Sequence, residues 1–476
     1  MSASNSVSQA RFAPFREKMH ADGLSDAAIR AFEGSYAALE SGFTGLIPEI
    51  DIEPARDLPN AESLPKDFNP HLLEETVVIK LNGGLGTGMG LEKAKSLLKV
   101  RGDDCFLDLI ARQILRLRKQ TGGSAPRFML MNSFSTSADT LELFSKNYPD
   151  VGKASELELM QNRVPKVLVD SLEPLSWPSN PDLEWCPPGH GDIYTCIFDG
   201  GKLDWLISQG IKYAFVSNSD NLGATVDPSL LSWFAASSKP FVMEVTRRTA
   251  ADRKGGHLAV RKKDGCLLLR ESAQCPKEDE ESFQDTDRHR YFNTNNLWIR
   301  LDRLKEKIAA NGGAIPLPVI VNRKTADPRD SKSPAVFQLE TAMGAAIECF
   351  ADAGAIEVPR TRFAPVKTTS DLLAVRSDSY RLTEDLRLEL DSRREGEPPH
   401  VALDGNLYKM VGDMEAAFPN GTPSLIECGH LNVKGPGRIV CDAGVVFRGD
   451  VTVSNPSTEE AFHLRAGVYE GEVAPA

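Results

Sequence analysis

The sequence predicts an α/β fold with a mixed, mainly parallel sheet, followed by a small β-rich domain. Between residues 76 and about 375, short apolar runs alternate with segments of helical periodicity, which is typical of a sheet covered by helices on both faces. A charged, proline-containing segment at 391–400 interrupts the alternation, and short glycine-punctuated β-rich segments follow it. We therefore predict a helical preface over 1–60, an α/β body over 61–390 and a β-rich domain over 391–476.

The elements can be assigned in chain order. Apolar residues recur at spacings of three and four between Phe12 and Ser41, which predicts two helices, and Ser25 is a suitable N-cap for the second. The first ten residues lack this pattern, and we expect them to be disordered. Predicted strands of the body cover 77–79, 127–131, 211–216, 240–245, 257–260 and 296–299, and predicted helices cover 106–120, 138–147, 227–237 and 338–353.

Composition restricts the partners and the location of the protein. The 476 residues include 55 basic and 67 acidic side chains, for a net charge of −12. Such an acidic balance argues against nucleic-acid or anionic-membrane binding. The chain also lacks an apolar run long enough for a membrane span and lacks the apolar core of a signal peptide. We expect a cytoplasmic protein without nucleic-acid or membrane partners. The sequence does not indicate an oligomeric state.

The first predicted strand of the body runs into a glycine-rich turn at 83–90, which is followed by Lys93, Lys95 and Lys99. Glycines let backbone N–H groups approach a ligand, and successive N–H groups form an anion-binding concavity. The following segment has helical potential, and a helix N-terminus there would strengthen the site. The spacing matches neither a Walker A loop nor a dinucleotide fingerprint. We predict a phosphate-binding turn; a tight turn without a ligand is the alternative.

A polar segment, Asn218-Ser219-Asp220-Asn221, follows the strand predicted at 211–216. A carboxylate at the carboxyl end of a parallel strand points toward the ligand crevice. Mg²⁺ keeps much of its water, so one or two carboxylates together with substrate phosphates are sufficient to bind it. Asp220 is therefore the candidate metal ligand. The alternative is that Asp220 only caps the next turn.

Six motifs in chain order, between about residues 76 and 450, resemble those of the UTP–glucose-1-phosphate uridylyltransferase family of sugar-nucleotide pyrophosphorylases. The segments that carry the resemblance are Leu81-Asn82-Gly83-Gly84-Leu85-Gly86-Thr87 with Lys95-Ser96, Leu159-Met160-Gln161-Asn162, Pro187-Pro188-Gly189-His190-Gly191-Asp192, Asn218 to Gly223, Asn293-Thr294-Asn295-Asn296 with Leu339-Glu340-Thr341, and Lys367-Thr368-Thr369. Ala94 departs from the family pattern, which has proline at this position. The resemblance implies a Rossmann-like, GT-A-like nucleotidyltransferase sheet and a C-terminal left-handed β-helix.

The resemblance also implies roles for individual residues. The residues expected near the uracil are Leu81, Asn82, Gly83, Gly84, Gln161 and Gly189. Those expected around the ribose and the sugar are Asn218, Asn221, Asn293, Asn295 and Glu340. Lys95 and Mg²⁺ on Asp220 would stabilise the leaving pyrophosphate, and Lys367 and His190 would hold the attacking phosphate and the α-phosphate. For Glu340, an exposed helical glutamate is the alternative.

The implied reaction converts UTP and glucose 1-phosphate to UDP-glucose and pyrophosphate, reversibly, by in-line attack on the α-phosphorus. A sugar 1-phosphate is already an anion at neutral pH, so the reaction requires alignment and charge neutralisation and no general base. Two alternatives remain open: a pyrophosphorylase with broader sugar 1-phosphate tolerance, and a non-catalytic regulator that binds UDP-sugars. The presence of Lys95, Asp220 and Lys367 argues against the regulator.

Overall fold

The computed structural model describes residues 2–66, 68–123, 125–249, 252–394 and 396–475. The α-helices in these ranges are α1 (Ser2–Ala21), α2 (Asp26–Glu40), α3 (His71–Glu74), α4 (Phe106–Thr121), α5 (Ser137–Asn147), α6 (Ala154–Leu157), α7 (Ile193–Phe198), α8 (Lys202–Ser208), α9 (Pro228–Ala236), α10 (Glu280–Gln284), α11 (Leu301–Ala310), α12 (Thr369–Arg376) and α13 (Val411–Ala417).

The strands in the same ranges are β1 (Ile52–Pro54), β2 (Thr76–Asn82), β3 (Lys99–Arg101), β4 (Asp104–Cys105), β5 (Arg127–Asn132), β6 (Glu158–Met160), β7 (Val164–Pro165), β8 (Val167–Leu168), β9 (Trp185–Cys186), β10 (Tyr213–Asn218), β11 (Phe241–Arg247), β12 (His257–Arg261), β13 (Leu267–Arg270), β14 (Tyr291–Arg300), β15 (Val319–Thr325), β16 (Ala335–Thr341), β17 (Gly354–Glu357), β18 (Tyr380–Leu382), β19 (Leu388–Leu390), β20 (His400–Leu403), β21 (Cys428–Lys434), β22 (Ile439–Cys441), β23 (Val445–Ser454), β24 (Phe462–Leu464) and β25 (Gly467–Val473).

A ten-stranded sheet forms the centre of the body. Its main order is β1-β12-β14-β10-β2-β5-β6, with β13 beside β12, and β11 paired with both β14 and β17. Strands β1, β13 and β14 run against the other seven. The predicted mixed, mainly parallel sheet is therefore confirmed. The four adjacent parallel strands β10, β2, β5 and β6 place their carboxyl ends along one edge.

Strand β2 lies in the middle of this sheet, and its sequence explains why. Val77, Val78 and Ile79 are at most 2% exposed, as expected for a parallel strand covered on both faces. On one face, Val78 belongs to a hydrophobic cluster that includes Phe106 of α4 and extends to Phe447 of the C-terminal strands. The body and the C-terminal strands therefore share one continuous core.

The two-helix preface is confirmed, and its aromatic residues hold it to the body. Phe15 and Tyr36 have ring centroids 4.8 Å apart, and their cluster includes Val319 and Leu339 of the body. Ser25 caps α2 by accepting a 3.1 Å hydrogen bond from the Ala28 N–H. The expected disorder of the first ten residues is wrong for 2–10, because no proline or glycine interrupts the helix there; Met1 lies outside the described residues.

The C-terminal segment is β-rich, as predicted, and its strands are parallel. Strands β20, β21, β23 and β25 form one sheet, and β22 and β24 form a second. From β21 onward the chain alternates between the two sheets. The two boundaries between the three predicted domains stay predictions, although β1 already pairs with β12 of the central sheet.

The predicted helix at 338–353 is wrong. Strand β16 occupies its first part and pairs along its whole length with β15, and a 3-10 helix, Met343–Cys349, follows. The apolar residues of this segment fit both helical and strand periodicity, because the run is short. Pairing with the neighbouring strand β15 favours the strand. Among the described residues, no helix combines the length and apolar character needed to cross a membrane.

Candidate active site

The predicted site residues come together at the carboxyl edge of the four parallel strands. Strand β2 leads into Gly83, β10 into Asp220, and β6 into Gln161. Leu81 and Asn218 are paired neighbours in the β2–β10 register. Since β14 runs in the opposite direction beside β10, its beginning, with Asn293, lies at this same edge.

The glycine-rich turn is not followed by the expected helix. Gly86 and Gly90 have φ angles of +67° and +77°, which only glycine adopts readily. Two single-turn 3-10 helices, Thr87–Met89 and Lys95–Leu97, replace the expected helix. The Lys95 backbone N–H instead donates to the Gly84 carbonyl at 3.0 Å. Any phosphate binding here depends on the loop and its lysine, without a helix N-terminus.

Lys95 and Asp220 form an ion pair in the cleft. Lys95 Nζ lies 2.7 Å from Asp220 Oδ2, and both side chains are 18% exposed. Asp220 Oδ1 is buried and has no hydrogen-bond partner among the described residues. An unpartnered carboxylate oxygen fits the donor that Mg²⁺ prefers. The described residues contain no group of three or more His, Cys, Asp or Glu side chains placed to hold a metal ion.

Gln161 connects the glycine-rich turn to the Pro-Pro-Gly-His turn. Its Nε2 donates to the Gly189 carbonyl at 3.1 Å, and a Cβ added to Gly83 would lie 2.5 Å from its Oε1. Ser133 Oγ, after β5, donates to the Gly83 carbonyl at 2.9 Å. Gly83, Gln161 and Gly189, all predicted to contact the base, are therefore immediate neighbours.

Gly189 also packs tightly against β16. Its φ is +83°, and an added Cβ would lie 2.4 Å from the Thr341 carbonyl oxygen. The Thr341 N–H donates to the Pro188 carbonyl at 2.8 Å. This contact places Glu340 beside the same turn, on a strand rather than on the helix of the alternative interpretation. Burial raises the pKa of Glu340, while a hydrogen bond with Asn322 opposes that rise.

His190 is neutral in this site. Its Nδ1 accepts a 2.9 Å hydrogen bond from the Met343 N–H, so the ring proton lies on Nε2. Burial lowers the pKa of His190 to about 4, although the residue as a whole is half-buried. His190 can therefore offer a phosphate one neutral N–H donor but no positive charge. Its expected role at the attacking phosphate and the α-phosphate stays a prediction.

Asn293 and Asn295 lie on an irregular part of β14. The register with β11 shifts between Glu244 and Val245, opposite these residues, and Asn295 has a φ of +58°. Asn293 Nδ2 donates to Asn295 Oδ1 at 2.9 Å. Strand irregularities of this kind redirect side chains beside active sites. The irregularity therefore brings the two side chains together at the start of β14, where Asn293 Oδ1 also accepts from the Asn295 N–H at 2.9 Å.

Lys367 lies next to the Asp220 loop and close enough to Glu271 to influence its ionisation. The Lys367 side chain is exposed, and the Val366 N–H donates to the Asp220 carbonyl at 3.3 Å. Burial raises the pKa of Glu271, and the Lys367 ammonium opposes that rise. An added Cβ at Gly256 would lie 2.5 Å from Glu271 Oε2. Glu271 was not predicted from the sequence, because a lone glutamate after a strand carries no motif.

Two predicted ligands have amides that are engaged within the protein. Asn82 Nδ2 donates to Asn132 Oδ1 at 2.8 Å and to Thr140 Oγ1 at 2.9 Å, and its Oδ1 accepts from Ser96 and Ser219. The Asn82 side chain therefore holds the glycine-rich turn in place and has no free donor. The Asn221 amide is likewise engaged, because it donates to the Arg362 carbonyl and accepts from the Ala364 N–H.

Comparison with known proteins places this architecture in a family. The model of the UTP–glucose-1-phosphate uridylyltransferase family matches residues 44–446. The chain is 42% identical to the Saccharomyces cerevisiae UTP–glucose-1-phosphate uridylyltransferase over 382 residues, which are 80% of this chain and 74% of that protein. It is 41% identical to the Hordeum vulgare enzyme of the same name over 387 residues, 80% of this chain and 78% of that protein.

Solved structures agree over almost the whole chain. UDP-glucose pyrophosphorylase from Leishmania major, solved in open and closed structures, is 49% identical and superposes with a TM-score of 0.93, covering 98% of this chain and 99% of that one. A UDP-glucose phosphorylase from Trypanosoma brucei is 47% identical, with a TM-score of 0.90 over 98% of this chain and 100% of that one. The chain belongs to the UTP–glucose-1-phosphate uridylyltransferase family.

Proposed function

We propose that this protein transfers the uridylyl group of UTP to glucose 1-phosphate, releasing pyrophosphate and forming UDP-glucose reversibly. A mutant of the Leishmania major relative was solved in complex with UDP-glucose. The observation that carries the proposal here is the position of the Lys95–Asp220 pair, one strand away from the Gly83–Gln161–Gly189 group. A lysine and a carboxylate suit the phosphates and their cation, and the neighbouring Gln161 amide suits the base, so the arrangement fits a nucleoside triphosphate.

Gln161 is the residue we assign to uracil recognition. Its Nε2 is committed to the Gly189 carbonyl, which leaves Oε1 to accept a hydrogen bond. Uracil carries a hydrogen on N3, whereas cytosine has an acceptor there. An acceptor facing an acceptor leaves two desolvated groups unpaired, which costs about 1–3 kcal/mol each. Gln161 thereby selects UTP over CTP, and the bond to Gly189 fixes which way its amide points.

The cleft performs the chemistry by alignment and charge neutralisation. Lys95, which follows the glycine-rich turn, contacts the β- and γ-phosphates and stabilises the leaving pyrophosphate. Lys367 holds the phosphate of the sugar, and the His190 Nε2–H donates to a phosphate oxygen. The attacking phosphate oxygen is already ionised, so none of these residues must remove a proton. Their contribution is to hold the two substrates in line and to offset developing charge.

Asp220 is the residue we propose to hold Mg²⁺, through the oxygen that lacks a partner in the described residues. When bound, Mg²⁺ would neutralise negative charge on the phosphates and so assist the displacement. Because a single carboxylate is a weak site, the metal should arrive together with the nucleotide. Lys95 occupies the other Asp220 oxygen and thereby keeps that carboxylate turned toward the cleft.

Polar side chains around the sugar subsite complete the proposal. The residues we assign to the ribose and hexose hydroxyls are Asn218, Asn293, Asn295, Glu340 and Glu271. Asn293 and Glu271 approach the same backbone segment, since the Asn293 N–H donates to the Gly256 carbonyl at 3.3 Å. Three amides and two carboxylates supply donors and acceptors for the hydroxyls of the ribose and the hexose.

Two finer assignments belong to this proposal. We propose that the C-terminal strands form a left-handed β-helix, and their alternation between two parallel sheets supports the coil arrangement. We also propose a cytoplasmic location, on the basis of the sequence features given above.

The experiment that tests the function is product formation across two panels. With Mg²⁺ and glucose 1-phosphate, we expect UDP-glucose from UTP and a rate on the order of 10²–10⁴-fold lower from CTP. With UTP, glucose 1-phosphate should react faster than galactose 1-phosphate and N-acetylglucosamine 1-phosphate. Equal rates across the sugars would contradict the glucose assignment, and no turnover with any pair would contradict the enzymatic function.

A further inference from the structure

We propose that Asn221 is a positioning residue that fixes the distance between Asp220 and Lys367 and does not contact the substrate. This inference rests on the proposed function, because it concerns two groups assigned to the same reaction. Asn221 lies on the loop after β10 that carries Asp220. Lys367 lies on a different part of the chain, at the end of a segment that begins at Arg360. The Asn221 side chain connects these two parts.

The contacts of the Asn221 amide are all with backbone groups. Its Nδ2 donates to the Arg362 carbonyl at 3.0 Å. Its Oδ1 accepts from the Ala364 N–H at 3.1 Å and from the Gly223 N–H at 3.3 Å. The residue is 1% exposed. An asparagine in this arrangement has one remaining Nδ2 hydrogen and no accessible surface with which to bind a sugar hydroxyl.

Backbone contacts beside Asn221 also join the Asp220 loop to the segment that carries Lys367. Asn221 and Pro365 form an isolated antiparallel bridge, and the Val366 N–H donates to the Asp220 carbonyl at 3.3 Å. Lys367 is the next residue after Val366. The Asp220 backbone is therefore hydrogen-bonded to the residue that precedes Lys367. This bond lies one residue away from Asn221.

A buried ion pair anchors the other end of the same segment. The Arg362 guanidinium lies 2.7 Å from Glu244 on β11, and both side chains are at most 4% exposed. Arg362 also donates to the Thr225 carbonyl at 2.9 Å, on the Asp220 loop. A Cβ added to Gly223 would lie 2.3 Å from the Thr361 carbonyl oxygen, so the two segments are closely packed at this glycine. Asn221 keeps them from moving apart.

Asn221→Asp is the sharpest change, because it preserves the size of the side chain. The carboxylate can still accept from Ala364 and Gly223, but it places an oxygen against the Arg362 carbonyl where Nδ2 donated. Repulsion between these oxygens should displace the segment that carries Lys367. A displacement near 1 Å between reacting groups lowers a rate by about 10²-fold. We therefore expect kcat to fall about 10²-fold.

A double-mutant cycle distinguishes positioning from a general loss of structure. In a Lys367→Ala background, the lysine can no longer be misplaced, so Asn221→Asp should lower kcat by less than about 5-fold. If Asn221→Asp does not fold, Asn221→Ser removes the same donor and enters the same cycle. Independent effects that multiply in the cycle would overturn the proposal.

Asn455 provides the matched control. It is also 1% exposed, its Nδ2 donates to the Arg438 and Glu460 carbonyls at 2.8 Å, and its Oδ1 accepts from the Ser457 N–H at 3.0 Å. Asn455→Asp in the C-terminal strands should lower Tm as Asn221→Asp does but leave kcat and KM unchanged. An equal fall in kcat would show that the Asn221 effect is non-specific and would overturn the proposal.

Two further readouts separate this proposal from its alternatives. If Asn221 bound the sugar, Asn221→Asp would change the rate ratio between glucose 1-phosphate and 2-deoxyglucose 1-phosphate; we expect that ratio to stay constant. Hydrogen exchange at the Ala364 and Val366 amides should accelerate in Asn221→Asp even without turnover, and unchanged exchange would overturn the positioning role. Absent turnover in the unmodified protein would instead contradict the proposed function.

Discussion

Lys95 Nζ lies 2.7 Å from Asp220 Oδ2, so the lysine and the carboxylate assigned to the leaving group form a direct ion pair. The pairing crosses from the glycine-rich turn after β2 to the loop after β10. It keeps the lysine within the cleft and leaves the second Asp220 oxygen without a partner in the described residues. This arrangement agrees with our proposal that the cation binds together with the triphosphate.

Lys95→Met should lower kcat far more than it changes UDP-glucose affinity. The substitution removes charge at the position where the pyrophosphate leaves, and loss of one such group typically costs about 3–4 kcal/mol in the transition state, or 10²–10³-fold in rate. Steady-state kinetics and UDP-glucose titration check this. Lys93→Met is the control, since Lys93 is 72% exposed and 3.7 Å from Asp139. A change confined to KM would contradict the leaving-group role.

Asp220→Asn should lower activity and weaken its dependence on Mg²⁺. The described residues supply no cluster of three metal-binding side chains, so we expect little metal binding to the protein alone. Calorimetry with Mn²⁺ should show binding at about millimolar concentration or weaker without UTP, and tighter binding with it. Tight metal binding without nucleotide, or an unchanged Mg²⁺ dependence in the variant, would contradict the assignment of Asp220.

His190 should not titrate during catalysis at neutral pH. Because burial lowers its pKa to about 4, it stays neutral between pH 6 and 8. The ratio of kcat/KM between the unmodified protein and His190→Gln should therefore be constant across this range. A change in the ratio with a midpoint near pH 6.5 would show that a cationic histidine acts instead.

The same lowered pKa makes a prediction for stability. In the unfolded chain His190 binds a proton near pH 6.5, but in the folded chain only near pH 4. Its favourable contribution is therefore present above pH 6.5 and is lost as the pH falls toward 4. Between pH 7.5 and 5, the free energy of unfolding should fall more for the unmodified protein than for His190→Gln, as urea denaturation would measure.

Gly189→Ala should impair nucleotide binding and stability together. Its φ of +83° costs a non-glycine residue about 1–2 kcal/mol, and its Cβ would meet the Thr341 carbonyl oxygen at 2.4 Å. Gly265→Ala is the matched control, since Gly265 has a φ of +70° and open space around it. We expect KM for UTP to rise only in Gly189→Ala. Equal effects in both variants would show that backbone strain alone is responsible.

Ala94→Pro should be tolerated and slightly stabilising. Ala94, the departure from the family pattern, has a φ of −51°, which lies within the range that proline adopts. Proline at a compatible position stabilises by about 0.4–1 kcal/mol, because it restricts the unfolded chain. Thermal denaturation should show a small rise in Tm with unchanged kcat. A fall in Tm would show that the buried ring has no room beside Ser96.

Hydrophobic patterning predicted β2, β5 and β10, three of the four parallel strands at the edge of the site, but not the three-residue strand β6. The predicted helix at 106–120 matches α4 within one residue, because an apolar face and the Gly122 C-cap define its length. Hydrophobic patterning failed where tertiary contacts decide whether a segment forms a helix or a strand. Strand β16 was predicted as a helix, and the segment after the glycine-rich turn forms 3-10 turns, because positive φ at Gly86 and Gly90 is incompatible with a continuous helix.

The family resemblance indicated which side chains meet, but not what each one does there. Asn82 and Asn221 have the residue type of a sugar ligand, yet their amides are bonded within the protein. Their partners come from segments about 50 and 141 residues away, which local sequence does not reveal. Glu271 was missed for the same reason: its importance follows from its position near Lys367.

The stereochemical outcome at the α-phosphorus tests the central claim most directly. We infer that the cleft aligns glucose 1-phosphate and UTP for one direct displacement. UTP with a chiral α-thiophosphate should therefore give a UDP-glucose thio analogue of inverted configuration. Retained configuration would require two displacements through a covalent uridylyl-protein intermediate, and it would contradict the account of a site that acts by alignment and charge neutralisation alone.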